Sequence, residues 1–239
     1  MSVLYLECGS GVNADLMLAS LASLLDRPED IADMIGDAEL PIASVSVERS
    51  ESSGVSGLMV RIECGKDGGH AHHSLRDVTD VIDSSSVPDR VKDDAKAVFG
   101  ILAKAESEVH GTAVDTVHFH EVGSLENIAA VVGVCMTMDR LSPDRIVSSP
   151  VCTGFGHVHC AHGTLPIPAP ATAALIRDIP IYAGEKEGEY CTPTGAALLL
   201  HFVSSFDDRS PSVYSKAGCG LSSKDLFRML RSFIFDPSE

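Results

Sequence analysis

Apolar positions in this chain switch repeatedly between strand-like runs and helical spacing. Val3–Cys8 is a short apolar run ending in a carboxylate, Glu7, and a turn, Gly9-Ser10-Gly11. Leu16, Leu18, Leu21 and Leu24 then mark one stripe of a helix over about 14–25. Ile42–Glu48 and Val55–Glu63 read as paired strands joined by the Ser/Gly-rich SESSG, and GKDGGHAHH as a flexible loop before a helix near 75–84. Val91, Ala95, Val98, Leu102, Ala105 and Val109 step by four and three, which predicts a helix over about 89–109 with Gly111 at its C-terminal cap. The segment from Ser124 to about Asp139 is apolar nearly all round and reads as a helix buried on several sides.

Further on, Ile146–Cys152 is a strand candidate, and PIPAPATAALI at 166–176 is a Pro-rich lead into a helix. Thr192–Phe206 reads as a helix with Pro193 at its first position, Val213–Ala217 as strand-like, and Phe227–Phe235 as a last apolar segment. Interleaved strands and helices predict an α/β fold with a mixed sheet. Neither a repeat nor a long linker divides the chain, so one compact α/β unit over 1–239 is expected.

Three stretches concentrate polar chemistry: HFHEVG at 118–123, HCAHG at 159–163 and YCTPTG at 190–195. In an extended segment alternate side chains share a face, so His118 and His120 are expected to project together, with a bend at Gly123 letting Glu121 join them. Imidazole with carboxylate suits zinc, nickel, manganese or iron, and each histidine has the alternative of an ordinary hydrogen-bonding role. His70, His72 and His73 are either a metal-collecting loop or a solvated one. Thr192, Thr194 and Gly195 could place phosphate on a helix N-terminus, with simple capping by Thr192 as the alternative. Glu7 and Asp15 flank a strand-to-helix turn where carboxylates hold a metal or a ribose hydroxyl, or merely end a strand and start a helix. Glu126 either contributes to the site or complements its helix dipole.

Charge narrows the partners. Eighteen Lys+Arg against thirty-four Asp+Glu give a net charge of −16, a field that opposes nucleic acid and anionic lipid and favours cations. Seven cysteines without a Cys-x-x-Cys pair fit reduced thiols, Cys160 and Cys191 being soft-ligand candidates or small buried thiols. There is no signal-peptide pattern and no eighteen-residue apolar run, so a cytoplasmic protein without membrane contact is expected. Homo-oligomerisation stays open.

The motifs resemble a known family. YLECGSGVNADL resembles the Y-L-D-C-F-S-G-x-x-G-D-M opening of the LarC family of nickel-insertion proteins. VHGTAVDTVHFHEVGSLENI, CAHGTLPIPAPAT and YCTPTGAALL resemble that family's later signatures in the same order. The resemblance implies insertion of nickel into a pyridinium-bisthiocarboxylate mononucleotide, the precursor of the pincer cofactor of lactate racemase, in a CTP-using reaction with manganese or magnesium. It places His118, His120, Glu121, His159 and His162 at the metal and substrate site, supported by Glu7, Asp15, Glu126, Ser10 and Gly11.

Departures accompany it. Glu7 stands for the family's Asp, Gly9 for its Phe, Ala14 for its Gly and Leu16 for its Met. Glu126-Asn127-Ile128-Ala129-Ala130-Val131 stands for Asp-Ser-Ile-x-Asp-Ile, so an acid is lost at Ala130, and an Asp restored there is expected to supply an oxygen ligand. Full-length members continue into a C-terminal domain to which nucleotide binding is attributed. This chain is expected to lack it and to work with a separate C-terminal chain. Two other functions stay open: a nickel-binding chaperone or regulatory subunit without turnover, and a divalent-metal-dependent hydrolase.

Overall fold

A computed structural model describes residues 2–65, 73–120, 122–160, 162–208, 213–222 and 228–236. Its elements in chain order begin with β1 (Val3–Glu7), α1 (Ala14–Ala22), α2 (Asp30–Gly36), β2 (Ser44–Ser52), β3 (Val55–Glu63), β4 (His73–Ser74), α3 (Leu75–Ser84) and α4 (Asp89–His110). The middle of the chain forms β5 (His118–Phe119), α5 (Leu125–Leu141), β6 (Arg145–Ser148), β7 (Val151–Cys152), β8 (Gly154–Phe155), β9 (His157–Cys160), β10 (Gly163–Pro166) and α6 (Pro170–Leu175). The last third adds β11 (Ile181–Tyr182), β12 (Gly188–Glu189), α7 (Pro193–Phe202), β13 (Ser205–Phe206), β14 (Lys216–Leu221) and β15 (Met229–Phe235).

Among the described residues one seven-stranded sheet runs in the order β13-β6-β1-β15-β14-β3-β2. β1 pairs parallel with β6 and antiparallel with β15, so the sheet is mixed and the fold is α/β, as the interleaved pattern predicts. On one face Leu4 and Leu6 of β1, Leu58 and Val60 of β3 and Leu230 of β15 pack under α1 and α5 in a single apolar core. Ile128, Val131, Val132 and Val134 of α5 are fully buried because α1, β3 and α4 surround that helix. Each such aliphatic side chain taken from water contributes about 1.5–3 kcal/mol. The other sheet face carries a smaller cluster of Tyr5, Val147 and Phe235 with Phe233 beside it.

Several boundaries differ from the periodic reading. The expected strand over Ile146–Cys152 breaks after Ser148: Pro150 has no N–H for a ladder, and β7 leaves the sheet to pair with β11. The helix after Thr192 ends at Phe202, and Ser205–Phe206 become an edge strand beside β6. β14 starts at Lys216, leaving Val213 79% exposed. β9 and β10 form a hairpin in which Cys160 pairs with Gly163, so His162 sits in its turn. The short helix α2 has only Ile31 and Ile35 buried, too few apolar positions to register as a periodic stripe.

Among the described residues no helix is long and apolar enough to cross a membrane. All seven cysteines are free thiols.

Candidate functional site

α1 and α7 begin side by side. Asn13 caps α1, accepting the Leu16 N–H at 2.7 Å, and Thr192 caps α7, accepting the Gly195 N–H at 3.2 Å. Between the two caps the chain segments bond to each other: Val12 donates to the Tyr190 carbonyl at 2.8 Å and Thr192 to the Val12 carbonyl at 3.1 Å. Two glycines make this approach possible. Gly11 has φ +91°, and a Cβ there would stand 2.1 Å from the Tyr190 carbonyl oxygen; a Cβ on Gly195 would stand 2.3 Å from that of Val12.

The paired helix starts form one wall of a cavity of about 500 Å³ past the end of β1. Asn13, Ala14 and Asp15 line it from α1, and Thr192, Pro193 and Thr194 from α7. Glu189 of β12 and Ala169, Pro170 and Ala171 at the start of α6 continue the wall. The lining also includes Glu106, Val109 and His110 in the last turn of α4, His120, Val122 and Asn127 around the start of α5, and Val158, Cys160, His162 and Leu165 of the β9–β10 hairpin. A volume of this size is ordinary for a small-molecule site.

Three imidazoles meet at the α4 side. The His162 ring lies 4.5 Å from that of His120 and 5.0 Å from that of His110, centroid to centroid. Glu106, one helical turn before His110, faces its Nε2 at 3.4 Å. Burial raises the Glu106 carboxyl above its ordinary range, and His110 and His162 oppose that rise. Among the described residues no group of three or more His, Cys, Asp or Glu side chains is placed to hold a metal ion. His120 and His162 are the nearest pair of imidazoles, and a metal held by such a pair would take its remaining donors from another molecule.

The structure divides the residues named from sequence. His120, His162, Asp15, Thr192, Thr194 and Cys160 line the cavity. Ser10, Gly11 and Gly195 shape the turn and the helix junction without lining it. His118 and His120 do not project together: β5 ends at Phe119, the chain bends at His120, and His118 stays beside Ser74 and Asp77. His159 also points elsewhere, because alternation along β9 sends Val158 and Cys160 inward and leaves His159 exposed with its Nδ1 2.8 Å from Thr164 Oγ1. His73 pairs across β4 and β5 with Phe119.

The acids divide similarly. Glu7 lies on the far sheet face in an ion pair with Arg231. Glu126 turns toward Cys64, whose thiol burial and that carboxylate push up to about 12. Ala130 is fully buried in the apolar core, not on the cavity wall. Cys191 is buried, which raises its thiol. Glu121, His70 and His72 lie outside the described residues. Glu106, His110, Asn13, Asn127 and Glu189 escaped the motif reading. Glu106 and His110 carried a signal, a carboxylate and an imidazole four apart on one helix face, hidden by the apolar stripe that defined the helix.

Fold and cavity together define an α/β protein with a small-molecule site lined by imidazoles and by helix starts. The chain matches the family model described as nickel insertion protein over residues 4–239, and it belongs to that family, as the motifs suggest. A pyridinium-3,5-bisthiocarboxylic acid mononucleotide nickel insertion protein of Staphylococcus epidermidis is 35% identical over 235 residues, covering 98% of this chain and 59% of the relative. Proteins of the same name from Clostridium kluyveri and Staphylococcus saprophyticus are 36% and 34% identical, covering 95% and 93% of this chain and 59% and 56% of theirs. The chain thus spans somewhat under three fifths of the length of these relatives. No solved structure matches it.

Proposed function

We propose that this chain carries the nickel and substrate site of a nickel insertion reaction, in which nickel is placed into a pyridinium-bisthiocarboxylate mononucleotide. The observation that carries the reading is the His110, His120 and His162 cluster with Glu106, open on a cavity large enough for a mononucleotide. Nickel is cargo here. Imidazole suits it, and two or three imidazoles leave positions for the sulfur or oxygen donors of the substrate, so the metal can pass from protein to substrate without leaving an irreversibly closed cage. The carboxylates Asp15, Glu106 and Glu189 supply negative charge suited to a pyridinium ring and a divalent cation. Use of CTP with manganese or magnesium, which rests on the family resemblance, and a cytoplasmic setting belong to the same reading.

A second reading is a nickel-binding chaperone without turnover, which would use the same histidines. Calorimetric nickel titration tests what the two readings share. His120→Ala and His162→Ala should each weaken nickel binding by about tenfold or more, while His159→Ala, outside the cavity, should leave it within about twofold. Wild-type affinity in both cavity variants removes the histidine cluster from the nickel path. Conversion of the mononucleotide on addition of nickel, with and without CTP, separates insertion from carriage.

A further inference from the structure

Most N–H groups at the meeting of α1 and α7 already have acceptors. The Leu16 and Gly195 amides bond to the cap side chains, the Thr192 amide to Val12, and Pro193 has none to offer. Thr194 is not engaged in this way: it is 4% exposed and lines the cavity, and among the described residues neither its hydroxyl nor its amide has a hydrogen-bond partner, the Ala14 amide likewise having none. A hydroxyl that opens on a cavity and is held by no protein partner is available to a ligand. One turn away across the junction, Ala14 at the first position of α1 is likewise 4% exposed and lines the same wall.

We propose that Thr194, through its main-chain N–H and its hydroxyl, is the anchor for the phosphate of a pyridine mononucleotide, with the aligned starts of α1 and α7 supplying the field. The inference rests on the nucleotide reading of the cavity. Both helices direct their positive ends to one place, since Gly195 lets α7 seat directly on the α1 cap, and a phosphomonoester there meets two donors from one residue. No lysine or arginine lines the cavity among the described residues, so dipoles and hydrogen bonds carry the recognition of the anion. The imidazole cluster lines the same cavity, and the anchor orients the ligand with phosphate at the helix starts and pyridinium ring and nickel toward His120 and His162.

Nicotinamide mononucleotide and nicotinamide riboside, which share a pyridinium ring and differ by the phosphate, are the probes, titrated calorimetrically into the full chain. The nucleotide should bind at least about tenfold more tightly than the nucleoside. Thr194→Val, which keeps shape and loses the hydroxyl, should weaken the nucleotide by about tenfold, as expected for one hydrogen bond to a charged group, and leave the nucleoside unchanged. Thr194→Ser should retain wild-type binding, showing that the hydroxyl and not the fold is responsible, and both variants should bind nickel as the wild type does. Equal affinity for nucleotide and nucleoside, or unaltered nucleotide binding by Thr194→Val, overturns the anchor while leaving the nucleotide reading standing. Binding of neither probe, with nickel binding intact, overturns the anchor and the nucleotide reading together.

Discussion

Gly195→Ala offers a test of how α1 and α7 meet. Within a helix, alanine for glycine ordinarily stabilises by up to about 1 kcal/mol. Here the added methyl would stand 2.3 Å from the Val12 carbonyl oxygen, 2.6 Å from its carbon and 3.0 Å from Asn13 Cα. All three obstacles are main chain and belong to the turn that caps α1, so no side chain can rotate away. Overpacking of this kind costs about 1–3 kcal/mol, toward the upper end when backbone must move. The net is a loss of about 1–2 kcal/mol, or roughly 2–8 °C in melting temperature for a chain of this size. Gly100→Ala is the matched control: Gly100 lies inside α4, and a Cβ there meets nothing within 4 Å. It should gain up to about 1 kcal/mol. Thermal unfolding followed by circular dichroism at one pH reads both. If Gly195→Ala melts at or above the wild type while Gly100→Ala behaves as stated, the two helix starts do not abut as described.

Two further outcomes are expected. The Glu106 carboxyl is raised above its ordinary value of 4.5 chiefly by burial, so the stability tied to its proton is complete below that value and is lost as pH rises through the folded one. Glu106→Gln, which never ionises, should therefore gain on the wild type in urea denaturation between about pH 4 and about pH 7, and a difference that stays flat or shrinks refutes the assignment. Ala130→Asp should destabilise by about 3 kcal/mol or more, because it buries a carboxylate among apolar side chains, and nickel affinity should not rise. Tighter nickel binding with an unchanged melting temperature would instead place position 130 at the metal, as the motif comparison suggested.

Local pattern alone specified much of this protein. The four-and-three stripe of α4 and its Gly111 cap, the apolar-all-round α5, the Thr192-Pro193 start of α7 and the paired runs of β2 and β3 are each written in residues a few positions apart, where helix and strand periods operate. The ordered motifs likewise pointed to the family. Which side chains share the cavity could not be read the same way, since it depends on long-range packing. Glu106 and His110 reach His162 only because α4 lies across α5, α6 and α7. His159 is turned out and His162 in by the register of one hairpin, in which a single position reverses a side chain. Glu7 belongs to the opposite face because β1 alternates between two sheet surfaces, and the position of the absent acid, Ala130, is closed off by the core. Chain-local chemistry named the candidates, and the sheet order and helix layer selected among them.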